Sequence, residues 1–203
     1  VYKRQEWIHV RNEEAAAFAA EADSLTTGKL AVCAASCGPG NTHLIQGLYD
    51  AHRNGAKVLA LASHIPSRQI GSKFFQETHP EAIFQECSGY CEMVNSAEQG
   101  GVVLHHAIQS TMAGNGVSVL VIPGDVSMQD ADDDSFVESK ISTGRPVVFP
   151  DPAEAAALTQ AINEAKTVTL FVGAGVKDAR EQVLKLAEKI KAPIGHALGG
   201  KMY

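Results

Sequence analysis

The segment Ser36–Asn41 combines residue types that could hold a ligand. It follows the apolar run Leu30–Ala35 and precedes a helix-like run, Thr42–His52. Its two glycines let the backbone turn sharply and approach a ligand closely, and its proline stiffens the turn. The following helix start offers unpaired N–H groups and a positive dipole end. A strand, a glycine turn and a helix in this order predict a ligand-facing edge of a parallel sheet.

Two carboxylates, Glu13 and Glu14, follow the predicted strand Glu6–Val10 and open a predicted helix. Acidic residues are common at a helix start because they complement the helix dipole. A carboxylate at the ligand-facing edge could instead perform acid–base chemistry. Burial raises the pKa of a Glu, and a protonated Glu can donate a hydrogen bond to a ring nitrogen. The helix start lowers the pKa of Glu13, so burial would have to dominate.

Two further segments carry candidate ligand-binding residues. Phe74–Pro80 follows the third predicted strand, where its aromatic and amide side chains could line a pocket or simply form a loop. Gly173–Gly175 follows a predicted strand and precedes a helix, as a dinucleotide-binding turn does. Asp178 stands where the third glycine of G-x-G-x-x-G belongs, which weakens that interpretation.

The metal-ligating residue types do not predict a metal site. The four cysteines form two pairs with three residues between the members, whereas structural zinc sites favour C-x-x-C. We expect Cys33 and Cys87 to be small buried apolar residues and His64 to be structural. The acidic run Asp130–Asp134 is interpreted as a solvated loop. The four cysteines are Cys33, Cys37, Cys87 and Cys91.

Strand and helix signals alternate along the chain, which predicts an α/β fold with a parallel sheet flanked by helices. The predicted strands are Trp7–Val10, Lys29–Ala35, Val58–Ala62, Cys91–Val94, Val117–Ile122, Val168–Val172 and Ile194–Leu198. The predicted helices are Asn12–Leu25, Thr42–Asn54, Pro80–Cys87, Ala97–Ala113, Asp151–Ala165 and Asp178–Ile190. The segment Asp125–Pro146 breaks this alternation and has the composition of a linker. We therefore predict two domains, residues 1–146 and 147–203.

Composition limits the classes of function. The 203 residues are 45% hydrophobic and 20% charged, so the chain can bury a core. A net charge of −6 without a basic cluster argues against a nucleic-acid partner. No apolar run approaches the length of about 20 residues that spans a bilayer. The few cysteines suit a reducing cytoplasm.

The candidate residues taken together resemble one family, the thiamine diphosphate-dependent pyruvate oxidases, and most closely its bacterial quinone-linked pyruvate dehydrogenases (pyruvate:ubiquinone oxidoreductases). The resemblance covers nearly the whole chain. Acetolactate synthases share the glycine turn and the Phe-Gln-Glu sequence but not His-Ile-Pro-Ser, which favours the oxidase branch. The matching stretches are Arg11–Ala20, Leu30–Asn41, His64–Ser67, Phe75–Pro80, Val121–Asp125, Lys191–Ile194 and His196–Leu198.

The resemblance implies three modules per chain, which bind in order the aminopyrimidine of thiamine diphosphate, FAD, and the diphosphate with Mg²⁺. Residues 1–146 are expected to form the first module without its opening strand and helix, and residues 147–203 the beginning of the FAD module. The third module and its Gly-Asp-Gly…Asn magnesium motif are expected to lie beyond this N-terminal fragment. We therefore expect the fragment alone to be inactive.

The resemblance also assigns roles to residues. Glu13 matches the glutamate that activates the cofactor through a pyrimidine nitrogen, and Phe75 and Gln76 would face the reacting centre. The glycine turn would line the pyrimidine pocket through Gly38, Pro39, Gly40 and Asn41. Gly173 and Gly175 would lie near the flavin phosphates. Gly199 stands where the relatives carry an arginine near the flavin, a departure that puts one flavin contact in doubt.

The implied activity is oxidative decarboxylation of pyruvate to acetate and CO₂, with electrons passing through FAD to a quinone. An oxygen-dependent pyruvate oxidase or another thiamine diphosphate decarboxylase is the alternative, and a non-catalytic dimerising or binding module is the alternative of another class. The expected partners are pyruvate, a quinone and further copies of the chain in a dimer or tetramer. The expected location is the cytoplasm or the inner face of the cell membrane, with membrane contact only through regions outside this chain.

Overall fold

The computed structural model describes residues 6–130 and 148–201. It divides into two compact units, 1–146 and 147–203, which are described separately. Most of the predicted linker Asp125–Pro146 lies outside the described residues, as do the proposed domain boundary and all of the acidic run after Asp130.

The first unit is built on a parallel sheet of four strands in the order β1-β2-β4-β3. These strands are β1 (Ala31–Ala35), β2 (Val58–His64), β3 (Tyr90–Met93) and β4 (Val117–Pro123). In the register, Ala31 pairs with Val58, and Val58 pairs with Val117. Because all strands run the same way, their carboxyl ends meet at one edge of the sheet.

Helices cover both faces of this sheet. The helices of the first unit are α1 (Glu13–Thr27), α2 (Pro39–Arg53), α3 (Pro80–Ile83) and α4 (Ala97–Ser110). One face carries the main core, in which Leu44, Leu48 and Val119 are fully buried. A second cluster that includes Val103 and Leu120 lies on the opposite side of the strands. The two clusters explain why β4 is apolar at nearly every position, as expected of a strand covered on both faces.

Local sequence signals define the two helices that flank the ligand-facing edge. Asn12 caps α1, since its side chain accepts a hydrogen bond from the backbone N–H of Glu14. Gly28 ends α1 in the left-handed conformation, at φ 71°. Pro39 is the first residue of α2, where its missing N–H leaves no hydrogen bond unmade. The helices pack closely at Gly47, where an added Cβ would lie 2.6 Å from the Ala17 Cβ.

The predicted strand Trp7–Val10 is not formed. These residues have no regular secondary structure, and the side chains of Trp7 and Ile8 are 66% and 84% exposed. A strand requires a hydrogen-bonded neighbour, and within the described sheet β1 pairs only with β2. The apolar pattern of this segment is correct for a strand, but no partner strand is paired with it.

The second unit contains a two-stranded parallel sheet and two helices. Its elements are α5 (Pro152–Glu164), β5 (Leu170–Val172), α6 (Arg180–Ile190) and β6 (Ile194–His196). Asp151 caps α5 by accepting hydrogen bonds from the backbone N–H groups of Ala153 and Glu154. Among residues 148–201, only Ala187 and Gly200 are buried. The α/β class with a helix-flanked parallel sheet is thus confirmed. None of the described helices has the length and apolarity needed to cross a membrane.

Candidate functional site

The glycine turn lies at the carboxyl edge of the sheet. Residues 36–38 connect β1 to α2, whereas Pro39, Gly40 and Asn41, predicted as part of the turn, form the start of α2, which begins three residues before the predicted Thr42. Gly38 adopts φ 66°, a conformation that favours glycine. An added Cβ there would lie 2.8 Å from both the Cβ and the backbone oxygen of Gln76. Gly38 therefore allows the loop after β2 to pack directly on the turn, and the structure brings these two predicted segments together.

The loop that carries Phe75 and Gln76 is held in a strained conformation. Gln76 has φ 63°, which is uncommon for a residue with a side chain. The Glu77 carboxylate accepts hydrogen bonds from the backbone N–H groups of Gly71 and Phe74, and the Gly71 bond is the main cause that lowers the pKa of Glu77. Phe75 remains 79% exposed. The loop thus presents an aromatic ring and an amide to solvent beside the glycine turn.

Glu13 lies at the first position of α1 and reaches across to the glycine turn. The Ser36 hydroxyl donates to its Oε1 over 3.4 Å. His43 Nδ1 lies 3.0 Å from its Oε2. An ionised carboxylate can only accept, so Nδ1 carries the proton in this bond. Both oxygens of Glu13 therefore accept hydrogen bonds, one from Ser36 just after β1 and one from His43 on α2.

Gly40 makes this arrangement possible. An added Cβ at Gly40 would lie 2.4 Å from the Ser36 Oγ and 3.0 Å from the Glu13 Oε1. Any side chain at this position would displace the Ser36 hydroxyl from the carboxylate. The glycine is thus required by close packing around Glu13, in addition to its place at the start of α2.

The electrostatic surroundings favour the ionised form of Glu13. The hydrogen bond from His43 is the main cause that lowers the pKa of Glu13, and a backbone hydrogen bond at the helix start adds to it. Partial burial opposes these effects, but the side chain is still 29% exposed. The sequence indicated that the pKa of Glu13 would rise only if burial dominated. Within this chain burial does not dominate, and the pKa is lowered.

Asn41 occupies a different position from the rest of the turn. Its side chain is fully buried, and its Nδ2 donates to the backbone oxygen of Ser63 over 2.8 Å. Its Oδ1 is buried with no hydrogen-bond partner among the described residues. Asn41 thus fixes the start of α2 against the end of β2, next to the site.

A groove of about 410 Å³ runs along the edge that holds Glu13. It lies between the segment before α1 and the ends of β1 and β2. Its lining is Trp7, Ile8, His9, Val10, Arg11, Asn12, Glu13, Ala34, Ala35, Ser36 and Ser63. Glu13 and Ser36 therefore face a space that a small aromatic ring could enter.

A second connection joins the loops that follow β2 and β4. The Asp125 carboxylate accepts a hydrogen bond from the backbone N–H of Ser67 over 2.7 Å and another from its hydroxyl. The Ser67 hydroxyl bond is the main cause that lowers the pKa of Asp125. His64 is 4% exposed, and burial lowers the pKa of its imidazole. These residues brace the edge of the sheet outside the groove.

The predicted flavin residues lie in the second unit. Gly173 precedes a short 3₁₀ turn, Ala174–Val176, after β5, and Gly175 is the central residue of that turn. An added Cβ at either glycine would meet no heavy atom within 4 Å. The turn is therefore open, and its glycines are not required by packing or by a positive φ.

His43 was not among the residues predicted from the sequence. The predicted site included the Ser36–Asn41 segment but assigned no role to Ser36 itself or to the histidine three positions after Gly40. That spacing places His43 on the same face of α2 as Gly40, and this signal could have found it. Cys33 and Cys87 are buried as predicted, and burial raises the pKa of Cys33 to about 12. No cluster of three metal-ligating side chains occurs in residues 6–130 and 148–201.

Comparison with known proteins gives two family matches. Residues 1–83 match "Thiamine pyrophosphate enzyme, N-terminal TPP binding domain". Residues 155–203 match "Thiamine pyrophosphate enzyme, central domain". The two matches fall in the first and second unit, respectively.

The chain is also similar along nearly its whole length to individual proteins. It is 52% identical over 98% of its length to an uncharacterized 42.6 kDa protein of Pseudomonas amyloderamosa. It is 35% identical over 96% to a putative thiamine pyrophosphate-containing protein, YdaP, of Bacillus subtilis. It is 33% identical over 94% to the pyruvate oxidase of Lactiplantibacillus plantarum. The chain spans 50% of the first relative and 34% and 32% of the other two.

Proposed function

The chain belongs to the thiamine pyrophosphate enzyme family, and from that premise we propose that its first unit forms the aminopyrimidine half of a thiamine diphosphate site. The observation that carries this proposal is that three segments meet at the turn: Glu13 and Ser36 line one groove, and Gly38 of the same turn packs against Gln76. The groove of about 410 Å³ that Glu13 and Ser36 line has room for a flat ring, while the space left by the missing side chains of Gly38 and Gly40 is filled by Gln76 and Ser36.

Each residue has a defined task in this proposal. Glu13 holds and exchanges the proton at a ring nitrogen of the aminopyrimidine. Gly38, Pro39 and Gly40 form one wall of its pocket, with Asn41 fixing that wall to β2. Phe75 and Gln76 face the substrate. The bound cofactor supplies an electron sink that allows the carboxylate of a 2-keto acid to leave as CO₂.

We propose pyruvate as the substrate, with acetate and CO₂ as products and electrons passing through FAD to a quinone. The similarity to pyruvate oxidase, at 33% identity against 30% for the acetolactate synthase of Arthrospira platensis and 27% for one of Methanocaldococcus jannaschii, supports an oxidase. Gly173 and Gly175 would approach the flavin phosphates, and the open space around both positions is compatible with that role. Mg²⁺ and the diphosphate would be held by residues outside this chain.

The remaining proposals concern assembly and location. The site is half of a cofactor cleft, so we propose a dimer or tetramer in which another region completes it. The resemblance to quinone-linked enzymes further suggests a cytoplasmic protein that meets the inner face of the membrane through regions outside this chain.

The electron acceptor is tested with the full-length gene product loaded with thiamine diphosphate, Mg²⁺ and FAD. We expect pyruvate-dependent release of CO₂ and acetate with reduction of an added quinone. Oxygen consumption with hydrogen peroxide formation in place of quinone reduction would instead indicate an oxygen-dependent pyruvate oxidase. Formation of acetolactate without net oxidation would overturn the oxidase assignment, and no reaction with any 2-keto acid would favour a binding module.

A further inference from the structure

The contacts of Glu13 assign a role to His43 that the proposed function does not include. His43 lies on α2, thirty residues from Glu13 in the sequence, and its side chain is 50% exposed. It contributes little to the core, whereas Leu44 beside it is fully buried. Its Nδ1, 3.0 Å from Oε2, is the closest side-chain partner of the Glu13 carboxylate.

We propose that His43 is a positioning residue that latches the Glu13 carboxylate in its ionised form before the aminopyrimidine binds. The proposal rests on the proposed function for what Glu13 does with its proton. The latch is defined as the Ser36 hydroxyl and the His43 imidazole, both of which belong to this chain. Ser36 engages Oε1 over 3.4 Å and His43 engages Oε2 over 3.0 Å, so neither oxygen is free of a donor.

A latched carboxylate has a consequence for ligand binding. To donate a hydrogen bond to a ring nitrogen, Glu13 must first take up a proton and give up one of its present donors. Every contact that favours the ionised form therefore opposes this step. Through thermodynamic linkage, a tenfold change in that protonation equilibrium changes the apparent affinity for the ring tenfold.

The surroundings of Glu13 leave the hydrogen bond from His43 as the main interaction that favours its ionised form. Among the described residues, His43 is the one side chain that acts on the carboxylate both through a hydrogen bond and through electrostatics, while Ser36 acts through its hydroxyl alone. His9 and Arg11 line the same groove from the segment before α1, and Glu14 follows on the same helix. A substitution at His43 should thus remove the larger part of the interactions that lower the pKa of Glu13.

The first experiment measures the pKa of Glu13 in the 203-residue chain by carboxyl carbon NMR, with the signal assigned by its loss in Glu13→Gln. We expect the pKa to lie below the ordinary value in the unchanged chain and to rise in His43→Leu. Ser36→Ala should give a smaller rise because its contact is longer. His106→Leu, the same change at an exposed histidine on α4, should leave the Glu13 signal unchanged.

The second experiment measures the affinity of the full-length gene product for thiamine diphosphate with Mg²⁺ by calorimetry at about pH 7. We expect His43→Leu to bind more tightly than the unchanged protein, by about tenfold for each unit by which the pKa of Glu13 has risen. His43→Asn, which keeps a hydrogen-bond donor but not the imidazole, should lie between the two. It also serves as the test variant if His43→Leu does not fold.

Two results would overturn the latch. One is an unchanged pKa of Glu13 in both His43 variants, and the other is a raised pKa with equal or weaker cofactor affinity. Failure of the proposed function is seen separately, as near-normal CO₂ release in Glu13→Gln, whatever the NMR titration shows.

Discussion

The two units have the same pattern of elements in the sequence but very different interiors. In the first unit, four strands lie between helices on both faces, and side chains such as Leu44, Leu48 and Val119 are fully buried. The second unit has only two strands and two helices among its described residues, and the side chains of Phe171 and Leu198 are 76% and 88% exposed.

The difference shows that an alternating strand–helix pattern predicts the topology without predicting the burial. A parallel strand becomes a core strand only when other strands and helices cover it. A two-stranded sheet has two edges and little area to cover, so it is marginally stable by itself. We therefore expect the first unit to dominate the measured stability and the second to respond weakly to changes in its apolar residues.

The largest expected effect on the free energy of unfolding comes from one of two matched leucine substitutions. Leu48 is fully buried, and Leu48→Ala should lower the free energy of unfolding by about 2–5 kcal/mol. Leu184 is 45% exposed, and Leu184→Ala should lower it by less than about 1 kcal/mol. Urea unfolding followed by circular dichroism measures both. Equal losses in the two variants would show that the second unit has a core of its own.

A pair of glycine substitutions should give effects of opposite sign. Gly47→Ala places a Cβ 2.6 Å from the Ala17 Cβ and 2.8 Å from the Phe18 backbone nitrogen, so the helices must separate. We expect a loss of about 1–3 kcal/mol, typical of overpacking. Gly175→Ala meets no heavy atom within 4 Å, and the loss of chain entropy in the unfolded state should stabilise the protein by about 0.4–1 kcal/mol.

Thermal unfolding of the two glycine variants at several scan rates provides the measurement. A stabilised Gly47→Ala would contradict the close approach of α1 and α2. A strongly destabilised Gly175→Ala would show that the turn after β5 is packed. The second variant also reports on function, because weaker FAD binding without lost stability would support the proposed flavin role of Gly175.

The smallest expected effect concerns a buried carboxylate of the first unit. Glu21 is 5% exposed and accepts a hydrogen bond from Asn54 Nδ2 over 2.7 Å. Burial is the main cause that raises the pKa of Glu21, and the nearby Asp50 adds to it. With a raised folded-state pKa, the stabilising contribution is complete below the ordinary pKa of 4.5 and is lost as the pH rises through the folded-state value.

Glu21→Gln should therefore stabilise the chain at about pH 7, and the gain should vanish below about pH 4. The exposed Glu188 on α6 is the matched control, and Glu188→Gln should change the free energy of unfolding by less than about 0.5 kcal/mol. Unfolding in urea across this pH range provides the comparison. A destabilised Glu21→Gln at neutral pH would mean that the charge of Glu21 has a favourable partner.

The sequence predicted the elements whose signals are local. Asn12 and Gly28 mark the ends of α1, because caps depend on a few adjacent residues. The prediction for α2 began at Thr42, whereas the helix starts at Pro39, a favourable first helical residue. Trp7–Val10 has an apolar strand pattern, but a strand also needs a paired neighbour that the local sequence cannot supply. This explains the one strand prediction in the first unit that was wrong.

The candidate site was predictable in its composition but not in its contacts. The glycine turn and the Phe75–Gln76 loop could be named because each follows a strand at the carboxyl edge, and Glu13 because it opens a predicted helix. The bond between Glu13 and His43 joins residues thirty positions apart, and the positive φ of Gln76 results from packing against Gly38. Such contacts depend on how α1, α2 and the loop meet, which no local pattern specifies.

The central claim, that Glu13 is the catalytic carboxylate of a thiamine diphosphate site, is tested most directly by CO₂ release from labelled pyruvate in the full-length gene product. Glu13→Gln should lose activity by about 100-fold to 10,000-fold while retaining its flavin absorbance, because the general acid–base group is removed. Glu14→Gln, at the next position of the same helix, should stay within about twofold of the unchanged enzyme. Near-normal CO₂ release in Glu13→Gln would contradict the account.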